Sequence, residues 1–94
     1  ENLIEVALAH ESLGNLDIAQ EIFQSLIDDN DEPHKNISAA KAIYYLARTK
    51  RLAGDVAGAI ERYIKSIPSL KSVNLMGLAT NAHLALIHLK SNEN

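Results

Sequence analysis

Residues 39–63 read AAKAIYYLARTKRLAGDVAGAIERY, and this stretch decides the fold of the chain. Its first part places apolar side chains three and four residues apart, which is the spacing of one helix face. Gly54 can adopt the left-handed conformation that closes a helix, and Asp55 can cap the helix that follows. The helical spacing then continues from Val56 to Tyr63. The stretch therefore predicts two antiparallel helices joined by a short turn.

The same signals divide the N-terminal part of the chain. Residues 2–13 carry apolar side chains at helical spacing and are followed by Gly14. A second helix is predicted over about residues 16–28, with an apolar stripe at steps of three and four. Residues 28–36 contain four acids, a proline and no apolar side chain, which is typical of a surface loop.

The C-terminal part of the chain predicts three further helices, the third, fourth and fifth. Asn36 or Ser38 can cap the third helix of the chain. The fourth helix should stop or kink at Pro68, because proline has no amide hydrogen for the helix interior. Residues 71–91 predict a fifth helix that is apolar on nearly all sides. The fold class predicted from these patterns is all-α with five helices.

Composition limits the class of protein. The chain has 94 residues, of which 47% are hydrophobic and 4% aromatic, so it can form a single domain with a core of Ala, Leu and Ile. A net charge of -3 gives no basic surplus for nucleic acid, and the absence of cysteine excludes disulfides and thiolate metal sites. No run of about 18 apolar residues predicts a membrane span. The chain begins at Glu1 without Met and stops at Asn94 in mid-pattern, so we interpret it as a fragment of a longer protein. Because this fragment carries no targeting signal, we expect a cytoplasmic location.

A shift of 40 residues superposes the chain on itself. The shift aligns identical residues in nine pairs, among them Ala7 and Ala47, Gly14 and Gly54, Ala19 and Ala59, Ala42 and Ala82, and Leu46 and Leu86. Because the third helix matches both the first and the fifth, the repeat covers two and a half units.

These residues resemble the tetratricopeptide repeat, whose pattern is a large residue, Leu-Gly and Tyr on one helix and Ala-x3-Phe on the next. The matching positions are Leu3, Val6, Ala7, His10, Gly14, Ala19 and Phe23 in one unit, and Ile43, Leu46, Ala47, Lys50, Gly54, Ala59 and Tyr63 in the other. The chain departs from the family by an aliphatic residue at the Trp position, by Lys50 at the Tyr position and by a longer period than the usual ~34 residues. The resemblance implies antiparallel hairpins stacked as a right-handed α-solenoid, with units 1–36 and 37–71 and a half unit 72–94.

The resemblance also implies a concave groove lined by the first helix of each unit. Carried over position by position, the candidate groove residues include Glu5, Leu8, Lys41, Tyr44, Tyr45, Arg48 and His88. Lys41, Tyr44 or Tyr45, and Arg48 lie at helical steps, so one face presents two cations around a phenol. Such a face could bind an acidic peptide, because Arg pairs with carboxylates through two parallel hydrogen bonds. The alternative is a solvated strip of cations with the tyrosines packed between units.

Neither a metal site nor a catalytic site is predicted. His83 and His88 are five residues apart and point to different helix faces, whereas helical zinc pairs need three or four. His10 and His34 have no partner at ligand spacing, and the paired carboxylates Asp28 and Asp29 lack a desolvating environment. We therefore expect no metal, no cofactor and no enzymatic activity.

Three functions remain open from the sequence. The first is a non-catalytic module that binds a peptide or a partner helix in the groove, without direct contact to nucleic acid or membrane. The second is the peptide-sensing domain of a bacterial transcription regulator. The third is self-association as a homodimer through the apolar fifth helix, for which the candidate residues are Leu75, Leu78, Leu86 and Leu89.

Overall fold

The computed structural model describes residues 2–29, 32 and 35–91, and this part of the chain is all-α. Its helices are α1 (Leu3–Ser12), α2 (Leu16–Asp28), α3 (Ile37–Leu52), α4 (Val56–Ser72) and α5 (Met76–Ser91). The predicted fold class and the five helices are therefore confirmed. Within the described residues, none of these helices has the length and apolar content needed to cross a membrane. Glu1, His34 and residues 30, 31 and 33 of the predicted loop lie outside the described residues.

Polar side chains cap the N-terminal ends of α3 and α4. The Asn36 side chain accepts a hydrogen bond of 2.9 Å from the amide of Ala39, so Asn36 rather than Ser38 caps α3. Asp55 accepts an equivalent bond of 2.9 Å from Gly58 at the start of α4. Each bond satisfies an amide that has no partner within the first helical turn. The predicted role of Asp55 is thus confirmed.

Three tight turns of the same construction join the helices. Gly14, Gly54 and Asn74 have φ angles of +86°, +90° and +62°, which place all three in the left-handed region. In each turn, the amide one residue later donates a 2.8 Å hydrogen bond to a carbonyl five residues earlier in the chain. This arrangement satisfies carbonyls at the end of the preceding helix and reverses the chain. The helices on either side of each turn are therefore antiparallel neighbours.

The third turn corrects the predicted start of the fifth helix. The sequence predicted this helix from Lys71, but Lys71 belongs to the last turn of α4, and α5 begins at Met76. The break lies at Asn74, which tolerates the left-handed conformation because its short polar side chain can hydrogen-bond locally. The sequence prediction used glycine as the signal for a helix end, and Asn74 has the same role without that signal.

Of the two outcomes expected at Pro68, a stop or a kink, the structure excludes the stop. The helix passes through Pro68 and continues to Ser72, although proline removes one backbone hydrogen bond from a helix interior. Pro68 itself is exposed, whereas Ser69 and Leu70, the next two residues, are fully buried. Burial of the last turn of α4 therefore offsets the local cost of the proline.

Two core clusters hold the helices together, and α3 contributes to both. One cluster joins α1, α2 and α3 through residues that include Ala7, Ala19 and Phe23. The other joins α3, α4 and α5 through residues that include Ala59 and Tyr63. All five of these side chains are buried, so small alanines allow close helix approach around the buried rings of Phe23 and Tyr63. Each helix packs on the next along the chain, from α1 to α5.

Candidate functional site

Five of the residues predicted to line a groove lie at the surface on α1 and α3. Glu5 is exposed, and the other four are half-buried; the set comprises Glu5, Leu8, Lys41, Tyr45 and Arg48 and is called here the α1–α3 face. His88 is exposed on α5, and no hydrogen bond, ion pair or ring contact joins it to these residues within the described part of the chain. The candidate site is therefore the α1–α3 face, without His88.

Arg48 is held by Glu11, a residue that the sequence did not single out. Its Nε and Nη2 donate hydrogen bonds of 3.1 and 2.8 Å to Oε1 of Glu11. The Glu11 side chain is only 9% exposed, whereas that of Arg48 is 38% exposed. Arg48 is therefore anchored on one edge of its guanidinium, and Nη1 lies outside this contact.

Thr49 completes the attachment of Glu11. Its hydroxyl lies 2.9 Å from Oε2 of Glu11 and 2.8 Å from the backbone carbonyl of Tyr45, so its single hydrogen is shared between two acceptors. Both oxygens of the carboxylate thus face donors from α3. Because Glu11 belongs to α1, this polar cluster joins the first helices of the two predicted units.

Tyr45 is fixed by three neighbours. Its ring stacks on Phe23 with a centroid distance of 5.8 Å and meets Tyr44 edge to face at 5.3 Å. The guanidinium carbon of Arg48 lies 5.0 Å from the centroid of Tyr45. This distance is within the range in which a cation is attracted to the face of an aromatic ring. The half-buried phenol and the cation therefore form one contact surface with little freedom to move.

Tyr44 adopts the packing role that the sequence left as the alternative. It is 8% exposed and meets Tyr63 of α4 edge to face at 5.8 Å. The ring of Tyr44 is therefore covered by its neighbours, and of the two tyrosines Tyr45 offers more surface to a ligand. Burial raises the pKa of the Tyr63 phenol, with Tyr44 acting in the same direction and a hydrogen bond from Arg51 opposing it.

The contact between Glu11 and Arg48 lay beyond the reach of the sequence patterns. Glu11 follows Leu8 by three residues and therefore shares its side of α1, which was the only available signal. Whether it meets Arg48 depends on how α1 and α3 cross, and a helical pattern does not specify that angle. Two side chains 37 residues apart were therefore brought together by tertiary packing alone.

The described residues contain few other features that could form a metal site or a binding site. No group of three His, Cys, Asp or Glu side chains in that part of the chain is placed to hold a metal ion. No buried side-chain nitrogen or oxygen there lacks a hydrogen-bond partner. A shallow depression at the turn between α1 and α2, lined by residues 14–18, lies away from the α1–α3 face.

The apolar surface of α5 differs from the predicted one. Leu86 and Leu89 were candidates for self-association, but both are buried in the core, and Leu75 and Leu78 are half-buried against it. The exposed apolar side chains of α5 are Met76, Leu84 and Ile87, at 52%, 59% and 63% exposure. The outward face of this helix is therefore rotated from the one that the leucine pattern indicated.

Comparison of the chain with protein-family models, with curated proteins and with solved structures finds no match.

Proposed function

We propose that this chain is a non-catalytic protein-interaction module that binds an extended acidic segment of a partner on the α1–α3 face. The observation that carries the proposal is the fixed pair of Tyr45 and Arg48, with the phenol packed on Phe23 and the guanidinium held by Glu11. Tyr and Arg are the residues most often found at the energetic centres of protein interfaces.

Pre-organisation is the physical reason why this pair suits binding. An arginine side chain normally loses rotamer freedom when it binds, at a cost of about 0.5–1.5 kcal/mol. In this structure the contact with Glu11 at 2.8 Å has already restricted Arg48 before any ligand arrives. Its Nη1 edge can then donate to a carboxylate or carbonyl of the ligand, while the half-buried ring of Tyr45 supplies rigid contact area.

The distribution of charge supports an acidic partner. Eight of the nine Lys and Arg residues follow residue 36, and nine of the twelve acids precede residue 37. Lys41 lies on the same face of α3 as Arg48 and has no ion pair among the described residues. A ligand carboxylate near Lys41 would meet a cation that is not already neutralised.

We interpret the architecture as a tetratricopeptide-like stack, in which first helices share one surface. The hydrogen bonds between Glu11 of α1 and Arg48 of α3 support this interpretation, because they join equivalent helices of adjacent predicted units. A shared surface of this kind suits an extended peptide better than a compact small molecule.

Display selection of random 12-residue peptides against the chain provides the test. We expect acidic peptides to be selected and to shift backbone amide resonances around Tyr45 and Arg48 in 15N-labelled protein. Lys41→Glu should weaken the selected peptides about tenfold, because it replaces an attraction by a repulsion in the same place.

Lys71→Glu is the matched control, because Lys71 is exposed near the end of α4 and away from this face. It makes the same change of charge and should leave affinity unchanged. Equal affinities for the wild type and Lys41→Glu, or resonance shifts confined to another surface, would refute binding at the α1–α3 face.

A further inference from the structure

The exposed side of α5 carries an uninterrupted stripe without charge. Met76, Thr80, Leu84, Ile87 and Ser91 are all exposed, and at 100° per residue they fall within about a quarter of the helix circumference. The stripe runs the length of α5, which is about 22 Å at 1.5 Å per residue. Its spacing of three and four residues is that of a helix packing seam.

We propose that this stripe is the interface of a two-fold symmetric dimer, in which α5 packs antiparallel against α5 of a second copy of the chain. The proposal uses a surface separate from the α1–α3 face and does not rest on the proposed function. Three observations on the described residues select a second copy as the occupant.

The first observation is the pairing that the spacing produces. The centre of the stripe falls between residues 83 and 84, so an antiparallel two-fold axis there brings Thr80 against Ile87 of the partner subunit. It also brings Met76 against Ser91 of the partner subunit. Met76 and Ile87 thus each meet a small side chain, the two copies of Leu84 meet at the axis, and the same contacts form in both directions.

The second observation comes from the internal repeat. Under the 40-residue shift, Thr80 and Ile87 correspond to Ala40 and Ala47 of α3, which are fully buried in the same core cluster as Tyr63 of α4. The two alanines leave α3 without a bulky side chain at these positions of the cluster. Ile87 fills the equivalent space on α5, so another helix like α4 cannot pack there at the same distance.

The third observation is the electrostatic environment of the stripe. Lys90, His83 and His88 lie beside the stripe rather than on it, so the seam contains no charge that pairing would bury. Antiparallel packing also places the positive N-terminal end of each helix dipole beside the negative C-terminal end of the other. The second copy therefore brings no repulsive group into the seam.

The size of the stripe sets the strength of the dimer. One face of a 16-residue helix buries roughly 400 Å² per copy, about half of the ~800 Å² per partner in a stable interface. We therefore expect a weak dimer that forms with rising protein concentration and dissociates on dilution.

Single cysteines test this geometry directly, because the chain contains none of its own. Leu84→Cys lies beside the two-fold axis and should form a disulfide-linked dimer about tenfold faster than Leu13→Cys, a control on the turn after α1. Leu13 is the more accessible of the two, at 75% exposure against 59% for Leu84. Met76→Cys and Ser91→Cys should cross-link little alone and rapidly when mixed. Fast self-linkage of Met76→Cys would instead indicate parallel helices and overturn the proposal.

Sedimentation equilibrium provides a second measurement without cross-linking. The wild type should show a rising average mass with concentration, and Leu84→Asp should abolish the rise while keeping the far-UV helical spectrum and the peptide affinity of the α1–α3 face. A wild type that stays monomeric throughout, with equal cross-linking at residues 84 and 13, would exclude the dimer.

Discussion

Replacement of Glu11 by alanine tests the contact that joins α1 to α3. The change removes a carboxylate that accepts hydrogen bonds from Nε and Nη2 of Arg48 and lies 2.9 Å from the hydroxyl of Thr49. Thr49 keeps its second acceptor, the carbonyl of Tyr45. Arg48 keeps its position over the Tyr45 ring but loses its anionic partner.

The burial of the two partners sets the expected magnitude. Breaking a fully buried ion pair costs about 3–5 kcal/mol, whereas an exposed pair contributes about 0–1 kcal/mol. Glu11 is 9% exposed and Arg48 is 38% exposed, so the orphaned guanidinium can be partly rehydrated. We therefore expect Glu11→Ala to lower the free energy of unfolding by about 2 kcal/mol, which corresponds to a decrease of roughly 8–16 °C in Tm.

Urea unfolding followed by circular dichroism measures this loss. A double-mutant cycle with Arg48→Ala should give a coupling energy of about 1.5 kcal/mol, because each single change removes the same pair of hydrogen bonds. Glu5→Ala serves as the matched control on the exposed side of α1 and should change stability by less than ~0.5 kcal/mol. A coupling energy near zero would show that the pair contributes nothing and would remove the argument for a pre-organised Arg48.

Four further substitutions test the turns, the proline and the buried phenol. Gly54→Ala should lower the free energy of unfolding, measured with urea, by about 1 kcal/mol, because φ is +90° although no atom crowds an added Cβ. Asn74→Gly should be neutral or stabilising, because glycine adopts the φ angle of +62° without strain. Pro68→Ala should stabilise α4 by about 1–3 kcal/mol, because it restores an amide donor within the helix; a loss of stability would show that the packing of the last turn needs the proline. Burial raises the pKa of Tyr63, so the unfolded chain releases this proton first as the pH rises. Stability should therefore fall from about pH 10 upward through the raised pKa, and Tyr63→Phe, compared across that range, should lack this part of the decrease.

The helices and their turns could be predicted because their signals are local. Gly14 and Gly54 were identified as terminators, and both adopt the left-handed conformation that closes a helix. Asn74 has the same conformation but gives a weaker local signal, so the predicted start of α5 at Lys71 was five residues too early. Pro68 does not stop α4, because its strong local signal is outweighed by burial of the residues that follow it.

The candidate site was less predictable because adjacent residues on α3 have different tertiary neighbours. Tyr44 and Tyr45 lie close together on the helix, and the sequence offered no reason to choose between them. Tyr63 of α4 covers Tyr44, whereas Phe23 of α2 supports Tyr45 from one side and leaves it half-buried. Which tyrosine remains accessible therefore depends on two rings from different helices. Neither the distances nor the orientations of these rings follow from helical spacing.

Two exposed side chains, Leu3 on α1 and Ile87 on α5, have buried equivalents in α3, but for different reasons. Leu3 is exposed on α1, and its equivalent under the 40-residue shift is Ile43, a buried residue of similar size. The exposure of Leu3 therefore needs no other explanation than the lack of a neighbour among the described helices. Ile87 is also exposed, but its equivalent is the fully buried Ala47, and the larger side chain blocks the packing that α3 uses. A helix that packs on α5 must fit the larger side chain of Ile87, whereas a helix that packs on α1 would meet a residue of the same size as in α3. For this reason α5, rather than α1, supports a specific interface.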